Sequence, residues 1–87
     1  MRLELKHFDE LSTRELYALL VLRDLVFVVG QQITAEPEVD GLDPECLHVW
    51  GVVDGRVVAT ARIFEAEDPM MVGRVAVHPK MQRNGLG

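Results

Sequence analysis

A β-branched run that ends in a glycine loop sets the terms for this 87-residue chain. Gly73 to Val77 reads G-R-V-A-V and leads into the turn pair His78-Pro79, so the spacing predicts a strand running into a loop. The loop carries Gln82-x-x-Gly85-x-Gly87. Glycines two apart remove the Cβ atoms that keep a ligand off the backbone. They also permit positive φ, which turns successive N–H groups inward as an anion nest. The pattern reads as a phosphate cradle. It is not the P-loop of NTPases, because no Gly-Lys-Ser/Thr follows, and it lacks the G-x-G-x-x-G spacing of the dinucleotide fingerprint.

Upstream, Leu3-Glu4-Leu5-Lys6 alternates with period two and reads as a half-buried first strand. Ser12-Thr13-Arg14-Glu15 has the capping-box form and predicts a helix start. That helix is expected to run to Val29, with Leu16, Leu20, Arg23 and Phe27 on one stripe and Leu19, Leu22, Val26 and Val29 on the next. Gly30 fits the left-handed residue that closes such a helix. Gln31 to Cys46 shows no periodicity and is an acidic loop carrying Glu36, Glu38, Asp40, Asp43 and Glu45. Leu47 to Val53 and Arg56 to Phe64 flank Asp54-Gly55, a two-residue hairpin signal, so these strands pair antiparallel. A turn at Glu65 to Pro69 leads to the strand Met70 to Val77. The whole reads as one small α+β domain over residues 1–87.

Several function classes are disfavoured by composition. A formal net charge of −5 argues against nucleic acid, which demands a basic face, and suits a cationic substrate. The opening M-R-L-E-L-K-H-F is too charged for a signal peptide, and one cysteine cannot form an internal disulfide, so the expected location is cytoplasmic. The apolar stretch Leu16 to Val29 is broken by Arg23 and Asp24 and is shorter than the ~20 residues of a membrane span. His7, His48 and His78 have no metal-ligand spacing, so no metal is expected.

Charges that punctuate apolar segments are informative, because burying one is costly unless it is paired. Arg23, His48, Arg62 and Arg74 fit that description. Arg62 and Arg74 lie on consecutive strands, and two like charges side by side call for an acid nearby, so Asp40 and Asp43 are expected to fold over them. These five residues, Arg23, Asp40, Asp43, Arg62 and Arg74, either anchor the loop by bidentate pairs or contact substrate. Cys46 reads as a loop thiol and His78 as a turn residue.

The strand Val75-Ala76-Val77, the pair His78-Pro79 and Gln82-x-x-Gly85-x-Gly87 together resemble motif A of the GNAT N-acetyltransferases. The stretches Leu16 to Leu20, Leu22-Arg23, Val26 to Val29, Asp40 to Asp43, His48, Ala61-Arg62 and Gly73 to Val75 are similar to the ElaA-type subgroup of that superfamily. Gly30 departs from the subgroup, which usually has glutamate there. The resemblance implies a GNAT-like mixed, mainly antiparallel sheet with the N-terminal helix packed on it. It also implies a parallel fifth strand splayed from Met70–Val77. The match spans the whole chain but only the leading part of an ordinary domain, ending at the glycine loop before the cofactor-binding helix.

The implied activity is an acyltransferase reaction, acetyl passing from acetyl-CoA to a primary amine on a small molecule or peptide. By resemblance, Val75, Ala76 and Val77 offer backbone groups to the pantetheine arm and thioester, and the amides of Gln82, Arg83, Asn84, Gly85, Leu86 and Gly87 hold the pyrophosphate. Lys80 flanks that loop. Many relatives carry a glutamate base on the strand before it, but Met70 to Val77 holds no acid. The base is therefore sought in the acidic loop, with Glu38 and Asp40 as candidates, at His48 or Glu65, or elsewhere in the domain. Two alternatives stand beside this reading: a non-catalytic fragment that binds CoA or a partner, and a relative of the acyl-homoserine-lactone synthases. The apolar Met70–Val77 edge also predicts self-association, as a homodimer or through edge strands.

Overall fold

Ser12 fixes where the first helix begins. Its Oγ accepts the Glu15 N–H at 3.0 Å, and Glu15 Oε1 accepts the Ser12 N–H at 2.8 Å, so two otherwise orphaned donors are satisfied reciprocally. Lys6 Nζ reaches both Glu15 oxygens at 3.0 Å and ties the helix start to the first strand. The Ser12 N–H and then the Lys6 ammonium hold the Glu15 carboxyl below its usual range.

The computed structural model describes residues 1–82. Strand β1 (Arg2–His7) and a short 3-10 turn (Phe8–Glu10) precede helix α1 (Thr13–Arg23). After Arg23 the winding loosens into a π-helical segment, Asp24–Gly30, in which the Gln31 N–H donates to Val26 O, five residues back. This differs from the regular helix to Val29 that the stripe predicts. The wider turn keeps Leu19, Leu22 and Val26 buried but rotates Val29 out into solvent. Gly30 is not left-handed; a Cβ there would lie 3.1 Å from Leu25 O, and the left-handed residue is Gln32, with φ 56°.

Strands β2 (Leu47–Val53), β3 (Arg56–Phe64) and β4 (Met71–Val77) complete a four-stranded antiparallel sheet of order β1-β2-β3-β4, followed by a single turn of helix, α2 (Pro79–Gln82). Asp54 and Gly55 both have positive φ, 51° and 77°, as a two-residue hairpin of this twist requires. The fold is α+β, with α1 lying across β3 and β4 and with Leu22, Val26 and Ala76 at the centre of the core.

Strand alternation sorts the sheet into two faces. Under the helix lie Lys6, His48 and Arg62 in one cross-strand row and Glu4, Trp50, Thr60 and Ala76 in the next. On the other face run Leu3, Gly51, Ala59 and Val77, then Leu5, Val49 and Ala61. Leu3 and Leu5 are thus exposed, at 66% and 58%, and it is Glu4 and Lys6 that sit on the helix side. The alternation locates the strand but not which side is covered, because that choice is made by its pairing partner.

Candidate functional site

Three arginines from three elements converge under the acidic loop. Arg23 ends α1, Arg62 projects from β3 to the helix side, and Arg74 lies on β4. Arg23 is 2% exposed and donates from Nη1 to Asp43 Oδ1 at 2.7 Å and from Nε to Glu38 Oε2 at 2.8 Å. Arg62 grips Asp40 bidentately, Nη2 to Oδ2 at 2.6 Å and Nη1 to Oδ1 at 2.9 Å, and reaches Asp43 Oδ1 at 3.1 Å. Arg74 closes the ring, Nε to Glu38 Oε2 at 3.1 Å and Nη2 to Asp40 Oδ2 at 3.3 Å. Three guanidiniums therefore meet three carboxylates, and each carboxylate is shared by two arginines.

The electrostatics follow from that sharing. Hydrogen bonding from Arg62 holds the Asp40 carboxyl far below the usual carboxylate range, against some desolvation. Burial raises Asp43, but Arg23 and Arg62 outweigh it and the net shift is downward. Arg62 is correspondingly harder to deprotonate, chiefly through Asp40. Its guanidinium also sits 5.2 Å from the Phe64 ring centroid, while its Nε has no hydrogen-bond partner among the described residues.

The remaining sequence candidates fall around this network. His48 is 1% exposed; its Nε2 lies 3.0 Å from the Asp43 carbonyl oxygen, which only accepts, so that nitrogen carries the proton. Its ring packs tilted against Phe8, with centroids 6.1 Å apart. Cys46 is buried, bonds the Leu42 carbonyl and is pushed up by that burial, the opposite of an activated thiolate. Among the described residues no cluster of His, Cys, Asp and Glu is gathered to hold a metal ion, and no helix is long and apolar enough to cross a membrane.

The β4 edge carries a bulge, which the expected plain strand did not include although Gly73 inside the run is a signal for one. Between the pairs Thr60–Ala76 and Arg62–Gly73, one β3 residue opposes two on β4, and Arg74 takes φ 50°, a costly value for a residue with a Cβ. Beside the bulge, Phe27, Ile33, Glu36, Glu38, Arg74 and Val75 line a cavity of about 200 Å³. Arg74 therefore belongs at once to the ion ring, the bulge and the cavity wall. Val75, Ala76 and Val77 follow directly; Ala76 is buried, whereas Val75 is 60% exposed. Of the cradle, Gln82 is the last residue of α2, and Arg83, Asn84, Gly85, Leu86 and Gly87 lie outside the described residues.

A bulged edge strand leading through a proline turn to a glycine loop can be compared with known proteins. A sequence model of the acetyltransferase (GNAT) family matches residues 8–87. The chain belongs to that family. A UPF0039 protein of Schizosaccharomyces pombe is 42% identical over 84 residues, and the ElaA protein of Escherichia coli is 38% identical over 86. Among solved structures, an acyl-CoA N-acyltransferase from Pseudomonas aeruginosa superposes with a TM-score of 0.83 at 36% identity, covering 92% of this chain and 57% of that one. Escherichia coli ElaA superposes at 0.82 with 38% identity, covering 91% and 56%. The chain spans 55% and 56% of the length of the two curated relatives. The GNAT fold is thus shared, and the resemblance to the ElaA-type subgroup holds across nearly the whole chain.

Sequence reasoning singled out the arginines and acids that meet here. It did not give Glu38 its place bridging Arg23 and Arg74, and it did not foresee the bulge. A signal for the first exists: Arg23 is a cation inside an otherwise apolar helical stripe, and the loop opposite supplies more acids than Arg62 and Arg74 need.

Proposed function

We propose that the protein is an N-acetyltransferase that moves acetyl from acetyl-CoA directly to a primary amine, with the described residues supplying the thioester strand and one wall of the acceptor site. The observation that carries this reading is the position of the β4 bulge. It sets the exposed Val75 beside a half-open cavity, and β4 ends at Val77, just before the short helix α2. The fit to acyl-CoA is one of shape: β4 is the last strand of the described sheet, so an extended pantetheine arm can lie along its outer side.

In the reaction the nitrogen lone pair of the neutral amine attacks the thioester carbonyl carbon. An N–C bond forms, the C–S bond breaks with its electron pair going to sulfur, and the nitrogen proton leaves, so the products are an acetamide and CoA thiol. A protonated amine cannot attack, so a proton acceptor must be within reach directly or through water. Asp40 and Asp43 are poor acceptors, because their guanidinium partners favour the ionised form. Glu38 is shared by Arg23 and Arg74, and His48 is buried with one nitrogen committed. In this reading those four residues shape the loop, and proton removal falls outside the ion ring.

Calorimetric titration of the full-length protein with acetyl-CoA tests the proposal. Binding is expected in the parent and loss of binding in Gly85→Val, where a branched side chain fills the space the pyrophosphate must approach. Equal affinity in a folded Gly85→Val variant overturns the cofactor assignment.

A further inference from the structure

Charge bookkeeping around the cavity beside Val75 identifies one carboxylate that is not spoken for. Glu38 is satisfied by Arg23 and Arg74, Asp40 by Arg62 and Arg74, and Asp43 by Arg23 and Arg62. Glu36 also lines the cavity, yet among the described residues it has no ion pair or hydrogen bond. The ion ring is neutral, so the cavity wall carries one net negative charge, and Glu36 supplies it. The rest of the lining is apolar: Phe27 and Ile33 from the end of the π-helical segment and the residues after it, and Val75 from the strand edge.

Size and the second charge narrow the ligand. The cavity, about 200 Å³ and open to solvent at Ile33, Glu36 and Val75, has room for a small organic amine. Arg74 sits in the same wall, 26% exposed, and a second cationic centre on the ligand would face its guanidinium. From this we infer that Glu36 binds the ammonium group of the acceptor, and that the acceptor is a small monocationic primary amine with an apolar body, selected over polyamines. The inference rests on the N-acetyltransferase reading, because Val75 is what brings the bound amine next to the thioester. Glu36 acts here as a binding residue: it holds the ammonium at the cavity mouth, and the neutral amine that forms from it moves on to the carbonyl carbon.

The test uses the full-length protein with phenethylamine, spermidine and phenylalanine as probes, titrated in the presence of acetyl-CoA and followed by release of CoA thiol. Phenethylamine is expected to give the highest kcat/KM. Glu36→Gln is expected to raise its KM about tenfold, the loss of one partly solvated charge-assisted contact, with kcat and acetyl-CoA affinity unchanged. Glu36→Asp should recover part of the loss, and added salt should shrink the difference between parent and Glu36→Gln. Since Glu36 is exposed, the variant folds like the parent. An unchanged KM in Glu36→Gln, or a preference for spermidine or phenylalanine, overturns this inference alone. Failure of acetyl-CoA to bind the parent overturns instead the function on which it rests.

Discussion

The two faces of the sheet invert the usual distribution of polarity. The helix side holds Arg23, Asp43, His48, Thr60 and Arg62, all at 5% exposure or less, and the opposite side presents Leu3 and Leu5 at 58% or more. Charge is buried beside the apolar core of Leu22, Val26 and Ala76, and apolar surface is left outside. The difference separates two jobs: the covered face is closed by specific pairs that locate a loop, whereas the open face is a generic apolar surface with no contact of comparable specificity. A buried guanidinium is tolerable only because every carboxylate around it is doubly engaged, and the same arrangement makes the loss of any one member expensive.

The sharpest way to break that contrast is Arg23→Ala, which leaves Asp43 with Arg62 alone and Glu38 with Arg74 alone. Denaturant titration is expected to show a loss of about 3–5 kcal/mol, and a loss under 1 kcal/mol would mean that the loop acids find water instead. A smaller effect, about 1–3 kcal/mol at neutral pH, is expected for Asp40→Asn, and its sign with pH is fixed. The folded-state carboxyl of Asp40 lies below its unfolded value of about 3.9, so its contribution is complete above that pH and fades as pH falls further. Stability curves of the parent and Asp40→Asn should therefore run apart above about pH 5 and converge in acid. At the bottom of the scale, Leu5→Lys on the open face should change stability by no more than about 0.5 kcal/mol; a large loss there would show that the apolar face is covered in solution.

Much of this was legible in the residues where the controlling interaction is local. Ser12 and Glu15 are three apart, Asp54-Gly55 needs only its own φ values, and the limits of β2 and β3 follow from turn signals at their ends. The pairing of Arg62 with Asp40 was also readable, because buried like charges demand an acid and the loop offered one. What escaped was decided at a distance. The π-helical segment looks like continued helix in its stripe, the side on which Leu3 and Leu5 fall depends on pairing with β2, and the bulge at Arg74 is announced only by Gly73, a lone glycine inside the strand run. Within the ring, Asp43 was expected over Arg62 and Arg74, but its bond to Arg23 appears only once the fold brings the end of α1 beside the loop.

The strained backbone at Arg74 has a consequence of its own. A non-glycine residue at φ 50° costs about 1–2 kcal/mol; it sits in the bulged pairing with β3, and its side chain bonds the loop carboxylates of Glu38 and Asp40. Loop and strand are therefore two ends of one lever. Withdrawing those carboxylates removes the side-chain bonds made at the bulge, and the expected outcome is a shift of Arg74 and Val75. By reciprocity, a ligand that prefers the bulged strand must tighten the loop by the same free energy. The acidic loop is in that sense a gauge of the strand's occupancy, readable as protection of its amides from exchange.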